Sequence, residues 1–143
     1  MGTSQQRTEG VGGVQKRRTI LVADDHDLVR QMMRAVLEDE GYRVIEARDG
    51  LEARRLLAEH IDSLDLAIVD GVMPGEDGAS VLSFARELCP LLPVVLSSGY
   101  GPEKAFASLA HLVEFLPKPY DSVELVDKVS QMLASADRRD SCL

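Results

Sequence analysis

The segment LDLAIVDGVMPGEDG, residues 64–78, sets an apolar run from Leu64 to Val69 against an acid, Asp70, and then a loop rich in glycine and proline. Five apolar residues, interrupted once by Asp65 and bounded by turn formers, read as a buried strand, and Asp70 stands at its carboxyl end. Within the loop, Pro74 stiffens the chain while Gly75 and Gly78 allow the tight turn into a helix over Ala79–Leu88. Met73 reads as a packing residue.

The same alternation repeats on either side. Ile20-Leu21-Val22-Ala23 forms a first strand, and Val29, Met32, Met33, Val36 and Leu37 follow at helical spacing until Glu40-Gly41 stops the helix. Tyr42–Ala47 is a second strand, and Leu51, Leu56 and Leu57 mark a second helix. Beyond Cys89-Pro90, Pro93–Ser97 is a fourth strand with its proline in the first position, where no ladder bond is lost. A short fourth helix around Glu103–Ala110 leads to a fifth strand over His111–Leu116. Asp121 caps a last helix that carries Val123, Val126, Val129 and Leu133. Five strand–helix rounds with short, nearly all-apolar strands imply an α/β domain: a parallel sheet between two helical layers.

The chain has 143 residues, 45% hydrophobic and 28% charged, enough for one domain over residues 19–135. Residues 1–18, with four glycines and no apolar period, read as a disordered leader, and 136–143 as a flexible tail. No apolar run approaches the roughly 18–20 residues of a membrane span, and the leader lacks the apolar core of a secretory signal. Two cysteines imply no disulfide framework and fit a cytoplasmic setting. The net charge is −8; the leader carries +3 and the tail none, so residues 19–135 carry −11. A body that acidic is unsuited to nucleic acid, and no direct DNA binding is expected.

In parallel α/β sheets ligands sit beyond the carboxyl ends of the strands. Those ends hold Asp24 and Asp25, then Asp70, then Ser97 and Ser98, then Lys118 before Pro119. Three carboxylates converging on one cleft repel one another and call for a divalent cation and an ammonium. Oxygen-only ligands suit Mg²⁺, or Mn²⁺, rather than zinc.

Taken together, ILVADD (20–25), IVDGVMPGEDG (68–78), PVVLSSG (93–99) and FLPKP (115–119) resemble the receiver domain of two-component response regulators. The resemblance implies a flavodoxin-like (βα)5 fold with strand order 2-1-3-4-5. By it, Asp70 is the phosphoacceptor, served by a histidine kinase or a histidine phosphotransfer protein. Asp25 and Asp70 hold Mg²⁺ directly, Asp24 through water, and Val72 offers its backbone carbonyl. Lys118 and Ser98 bind the phosphoryl oxygens, Ser98 and Phe115 form the conformational switch, and the Lys118–Pro119 peptide bond is cis. The domain is then a signalling phosphoacceptor rather than an enzyme. It is either stand-alone or part of a hybrid kinase, and a homodimer through the last two helices stays open.

Several positions depart from the family's commonest pattern. Gly71 replaces a larger apolar residue, Glu76 adds negative charge near the cleft, and Tyr100 resembles hybrid-kinase receivers. The segment from Ser98 to Lys118 is short, with His111 near the place of a usual glycine. Val72, which cannot orient an attacking water, implies a long-lived phosphoryl group. Two other readings are weaker. Asp25-His26-Asp27 resembles the D-x-D of haloacid-dehalogenase-type phosphatases, but no late acidic pair follows. A phosphorylation-independent scaffold would have no use for a complete acid–hydroxyl–lysine set.

Overall fold

The computed structural model describes residues 17–73, 76–98 and 113–136, with the backbone alone at Ser98. Within them the chain runs β1 (Thr19–Ala23), α1 (Asp27–Asp39), β2 (Arg43–Ala47), α2 (Gly50–His60), β3 (Leu66–Asp70), α3 (Gly78–Leu88), β4 (Val94–Ser98), β5 (Val113–Pro117) and α4 (Ser122–Ala136). The five strands form one parallel sheet in the order β2-β1-β3-β4-β5. That is the flavodoxin-like arrangement, with the switch in strand order between β1 and β3.

Side chains of a strand alternate between faces, and each face here is covered by a pair of helices. Leu21, Ala23, Ala67, Val69, Val94 and Leu96 pack with Leu57, Val81 and Leu82 from α2 and α3. Ile20, Val22, Leu66, Ile68 and Val95 pack on the other face with Met33, Leu37, Leu125 and Val129 from α1 and α4. The central strands β1 and β3 are buried at every position, while the edge strands β2 and β5 expose Arg43, Glu114 and Pro117.

Local signals set the element ends. At the end of α1, Gly41 takes φ +97°, its N–H donates to Glu38 O and that of Tyr42 to Leu37 O. This is a Schellman stop, which strains any residue but glycine. At α4, Asp121 Oδ1 accepts from Glu124 N–H and Glu124 Oε1 accepts from Asp121 N–H, a reciprocal capping box. The third strand starts two residues later than its apolar run suggests. Leu64 N–H bonds back to His60 O in the turn that ends α2, and the ladder with β1 opens only at Ile20↔Leu66.

β4 begins after Pro93 and extends to Ser98, and β5 begins at Val113. The predicted helix around Glu103–Ala110, together with Pro74, Gly75, Tyr100 and His111, lies outside the described residues. Cys89, at the end of α3, is buried and disulfide-bonded, which the expectation of no disulfide framework did not foresee. No helix among the described residues is long and apolar enough to cross a membrane.

Candidate functional site

Because all five strands point one way, β1, β3 and β5 deliver their next residues to the same edge. Asp24 follows β1, Asp70 ends β3 and Lys118 follows β5. Lys118 Nζ lies 3.3 Å from Asp70 Oδ2 and 3.8 Å from Asp24 Oδ2. Both carboxylates are buried, Asp24 to 1% exposure and Asp70 to 4%, while Asp25 lies half-buried at the rim. Ligand atoms of Asp24, Asp25, His26 and Asp70 all lie within 4.8 Å of one another.

Burial pushes the Asp70 carboxyl above its ordinary range and the charge of Asp24 adds to this, against the Val72 N–H (3.2 Å) and Lys118, which pull it down. One ammonium thus faces two buried carboxylates, with the third, Asp25, in the same cluster. Asp25 Oδ1 is buried and accepts no hydrogen bond. An orphaned carboxylate oxygen beside two others is what a hard divalent cation would satisfy, so the residues present fit Mg²⁺ or Mn²⁺.

The loop bearing Asp24 and Asp25 is held from behind by Arg30 of α1, buried to 6% exposure. Its Nη1 donates to the Asp24 carbonyl, its Nε to Glu46 Oε1 and its Nη2 to Asp27 Oδ1, each at 2.8 Å. Arg34 adds a 2.7 Å bond to Glu46 Oε2. Burial alone would raise the Glu46 carboxyl, but the hydrogen bonds and charges of Arg34 and Arg30 outweigh it and hold the group below its ordinary value.

The opposite wall is the loop after β3. Gly78 N–H donates to Gly71 O, and a Cβ at Gly78 would stand 2.8 Å from both the Asp70 carbonyl oxygen and Gly71 Cα. Gly78 therefore serves close approach to the Asp70 backbone, more than the turn conformation foreseen for it. The start of α2 presses on the same loop, since a Cβ at Gly50 would collide with the Glu76 backbone. Glu76 does not act as a loose extra charge: Arg54 pairs with it at 3.4 Å while stacking over Phe84 at 4.2 Å.

The structure thus brings together Asp24, Asp25, Asp70 and Lys118, with Pro119 after a cis peptide bond. Val72 is 62% exposed at the mouth, and Met73 is buried as packing. Phe115 is half-buried in β5, opposite Leu96, and Ser98 lies opposite Pro117.

Sequence reasoning passed over Arg30, Glu46 and Tyr120. The Tyr120 hydroxyl donates to Met33 Sδ at 3.2 Å, and burial, with the charges of Asp24 and Asp70, pushes its phenol up to about 12. For Arg30 a signal existed: it precedes Met33 and Leu37 by three and seven residues, on the buried stripe of α1.

Comparison with known proteins agrees with this fold. The model of the response regulator receiver domain family matches residues 20–130. The sensor kinase CckA of Brucella abortus is 30% identical over 96% of this chain, which spans 15% of that protein. The transcriptional regulatory protein CpxR of Escherichia coli K12 is 33% identical over 80% of this chain and 48% of its own length. The chain therefore spans half or less of these curated relatives. Among solved structures, the receiver domain of hybrid histidine kinase CckA is 39% identical with a TM-score of 0.71, covering 80% of this chain and 98% of that one. A response regulator receiver protein of Sinorhizobium medicae is 30% identical with a TM-score of 0.75, covering 85% and 98%. The chain belongs to the response regulator receiver domain family of two-component signalling.

Proposed function

We propose that Asp70 accepts a phosphoryl group from a histidine kinase or a histidine phosphotransfer protein, with Mg²⁺ bound by Asp25, Asp70 and the Val72 carbonyl. The observation that carries this reading is the Lys118 ammonium at 3.3 Å from Asp70 Oδ2 inside the three-carboxylate cluster. An Asp70 carboxylate oxygen attacks phosphorus, the P–N bond to the donor imidazole breaks, and the imidazole leaves with the bonding pair. Phosphoryl transfer requires little of a protein beyond an in-line nucleophile and neutralised equatorial oxygens. Lys118 supplies one positive charge to those oxygens, and the bound cation, when present, supplies the rest. Arg30 keeps the Asp24–Asp25 loop in place from behind, through the Asp24 carbonyl.

Output runs through Ser98, which moves to the new phosphoryl oxygens, and Phe115, whose half-buried ring turns inward behind it. The chain acts in the cytoplasm through protein contacts, as a phosphoacceptor domain without direct DNA binding. Intact-mass spectrometry after incubation with acetyl phosphate tests this. The expected result is a gain of one phosphoryl group that needs both Mg²⁺ and Asp70 and is lost in Asp70→Asn. If neither acetyl phosphate nor beryllofluoride engages the wild type, the reading fails and a phosphorylation-independent scaffold replaces it.

A further inference from the structure

Resting on the receiver reading, we propose that His26 supplies a nitrogen ligand to the divalent cation of this site, so that the chain favours transition ions over Mg²⁺, Co²⁺ more strongly than Mn²⁺. His26 occupies the N-cap of α1, yet its side chain makes no capping bond. Its backbone N–H donates instead to Asp24 Oδ1 at 2.9 Å, which folds the residue back over the carboxylates. The ring follows, with Nδ1 at 3.3 Å from Asp24 Oδ1 and 3.4 Å from Asp25 Oδ1. The second of these oxygens is the buried one that accepts no hydrogen bond.

An ion bonded at roughly 2.0–2.2 Å spans donors up to about 4.4 Å apart. The four candidate donor atoms, within 4.8 Å of one another, need to close by only a few tenths of an ångström. The imidazole makes that adjustment by giving up its 3.3 Å contact with Asp24 Oδ1, and its 65% exposed side chain has room to do so. Charge does not oppose it: with the ring proton moved from Nδ1 to Nε2, a neutral imidazole offers the Nδ1 lone pair without adding a fourth negative group. The consequence follows from ligand type. Carboxylates and carbonyls suit Mg²⁺ and Mn²⁺, whereas imidazole gains strength along the series from Mn²⁺ to Co²⁺ and beyond. Adding one nitrogen to an oxygen set leaves Mg²⁺ nearly indifferent and tightens the transition ions.

The test uses the whole, tag-free chain and the metal ions alone. Calorimetric titrations with Mg²⁺, Mn²⁺ and Co²⁺ are compared for wild type and His26→Gln, with His60→Gln on α2 as control. Loss of the imidazole is expected to weaken Co²⁺ binding about 10- to 100-fold, the range seen when metal-site support is removed, with Mg²⁺ affinity changed less than about twofold. Electron spin-echo spectroscopy of the Mn²⁺ complex reads the ligand directly. Modulation from a coordinated imidazole nitrogen is expected in wild type and His60→Gln and absent in His26→Gln. A Mn²⁺ complex without nitrogen modulation, or equal weakening of all three ions, overturns the inference. If that result accompanies Mg²⁺-dependent phosphorylation of Asp70, the receiver reading stands and only the role of His26 falls. If the wild type binds none of the three ions, both fall.

Discussion

Replacing Arg30 by methionine removes three hydrogen bonds of 2.8 Å, and the burial of each partner sets what that loss costs. Asp27 is 70% exposed and rehydrates, so its share is about 0.5 kcal/mol or less. Glu46 is 21% exposed and keeps Arg34, so it loses one of two charge-assisted bonds, about 1 kcal/mol. The Asp24 carbonyl is buried and loses this donor, a further cost of about 1–2 kcal/mol. Methionine keeps an unbranched apolar stem on the buried stripe of α1, so little is lost there. Together these come to about 2–3.5 kcal/mol, a fall in Tm on the order of 10 °C for a domain of this size.

Urea unfolding followed by far-UV circular dichroism measures it, since the chain has no tryptophan to serve as a probe. Arg34→Met is the control. Among the described residues its 47% exposed side chain bonds Glu38 and Glu46 and holds no loop carbonyl, so about 0.5 kcal/mol is expected. A loss below about 0.5 kcal/mol for Arg30→Met, or equal losses for the two variants, would refute the idea that Arg30 anchors the Asp24 loop.

Folding lowers the Glu46 carboxyl, so its contribution is complete above its ordinary value of 4.5 and is lost as pH falls through the lower folded value. Acid titration of stability should therefore be less steep in Glu46→Gln; an unchanged slope would contradict this. Asp70 has the opposite sign: its carboxyl is raised, so stability falls as pH rises from the ordinary 3.8 through the folded value, and the penalty persists at neutral pH. Asp70→Asn is expected to melt higher than wild type at pH 7 without divalent cations, and a lower Tm would reverse the assignment. Helix propensity alone predicts that Gly78→Ala stabilises by about 0.5–1 kcal/mol. Its new Cβ at 2.8 Å from two backbone atoms should cost about 1–3 kcal/mol, so urea titration should show a net loss, and a gain would show that the loop yields. With apolar Val72 exposed at the mouth, the phosphoryl group on Asp70 should be long-lived, and decay within seconds in the isolated chain would oppose that.

The order of the described elements was legible in the sequence because each depends on local pattern. Apolar runs made the strands, heptad-like spacing the helices, and Gly41 and Asp121 their ends. The convergence of Asp24, Asp25, Asp70 and Lys118 was legible as well, because a parallel sheet sends every strand's carboxyl end to one edge. What remained hidden depends on pairs distant in the chain. Leu64 reads as strand by composition, but its amide is taken by His60 in the turn closing α2. Glu76 reads as added charge near the cleft, yet packing of α2 brings Arg54 to neutralise it. Arg30 and Glu46, sixteen residues apart on a helix and an edge strand, meet only once α1 covers that face of the sheet. Periodicity thus determined which segments are buried and which ends face the site, since both follow from the repeat of a single element. Tertiary structure decided which charges are paired and which backbone groups are clamped, because pairing requires two elements to be packed before either charge can find the other.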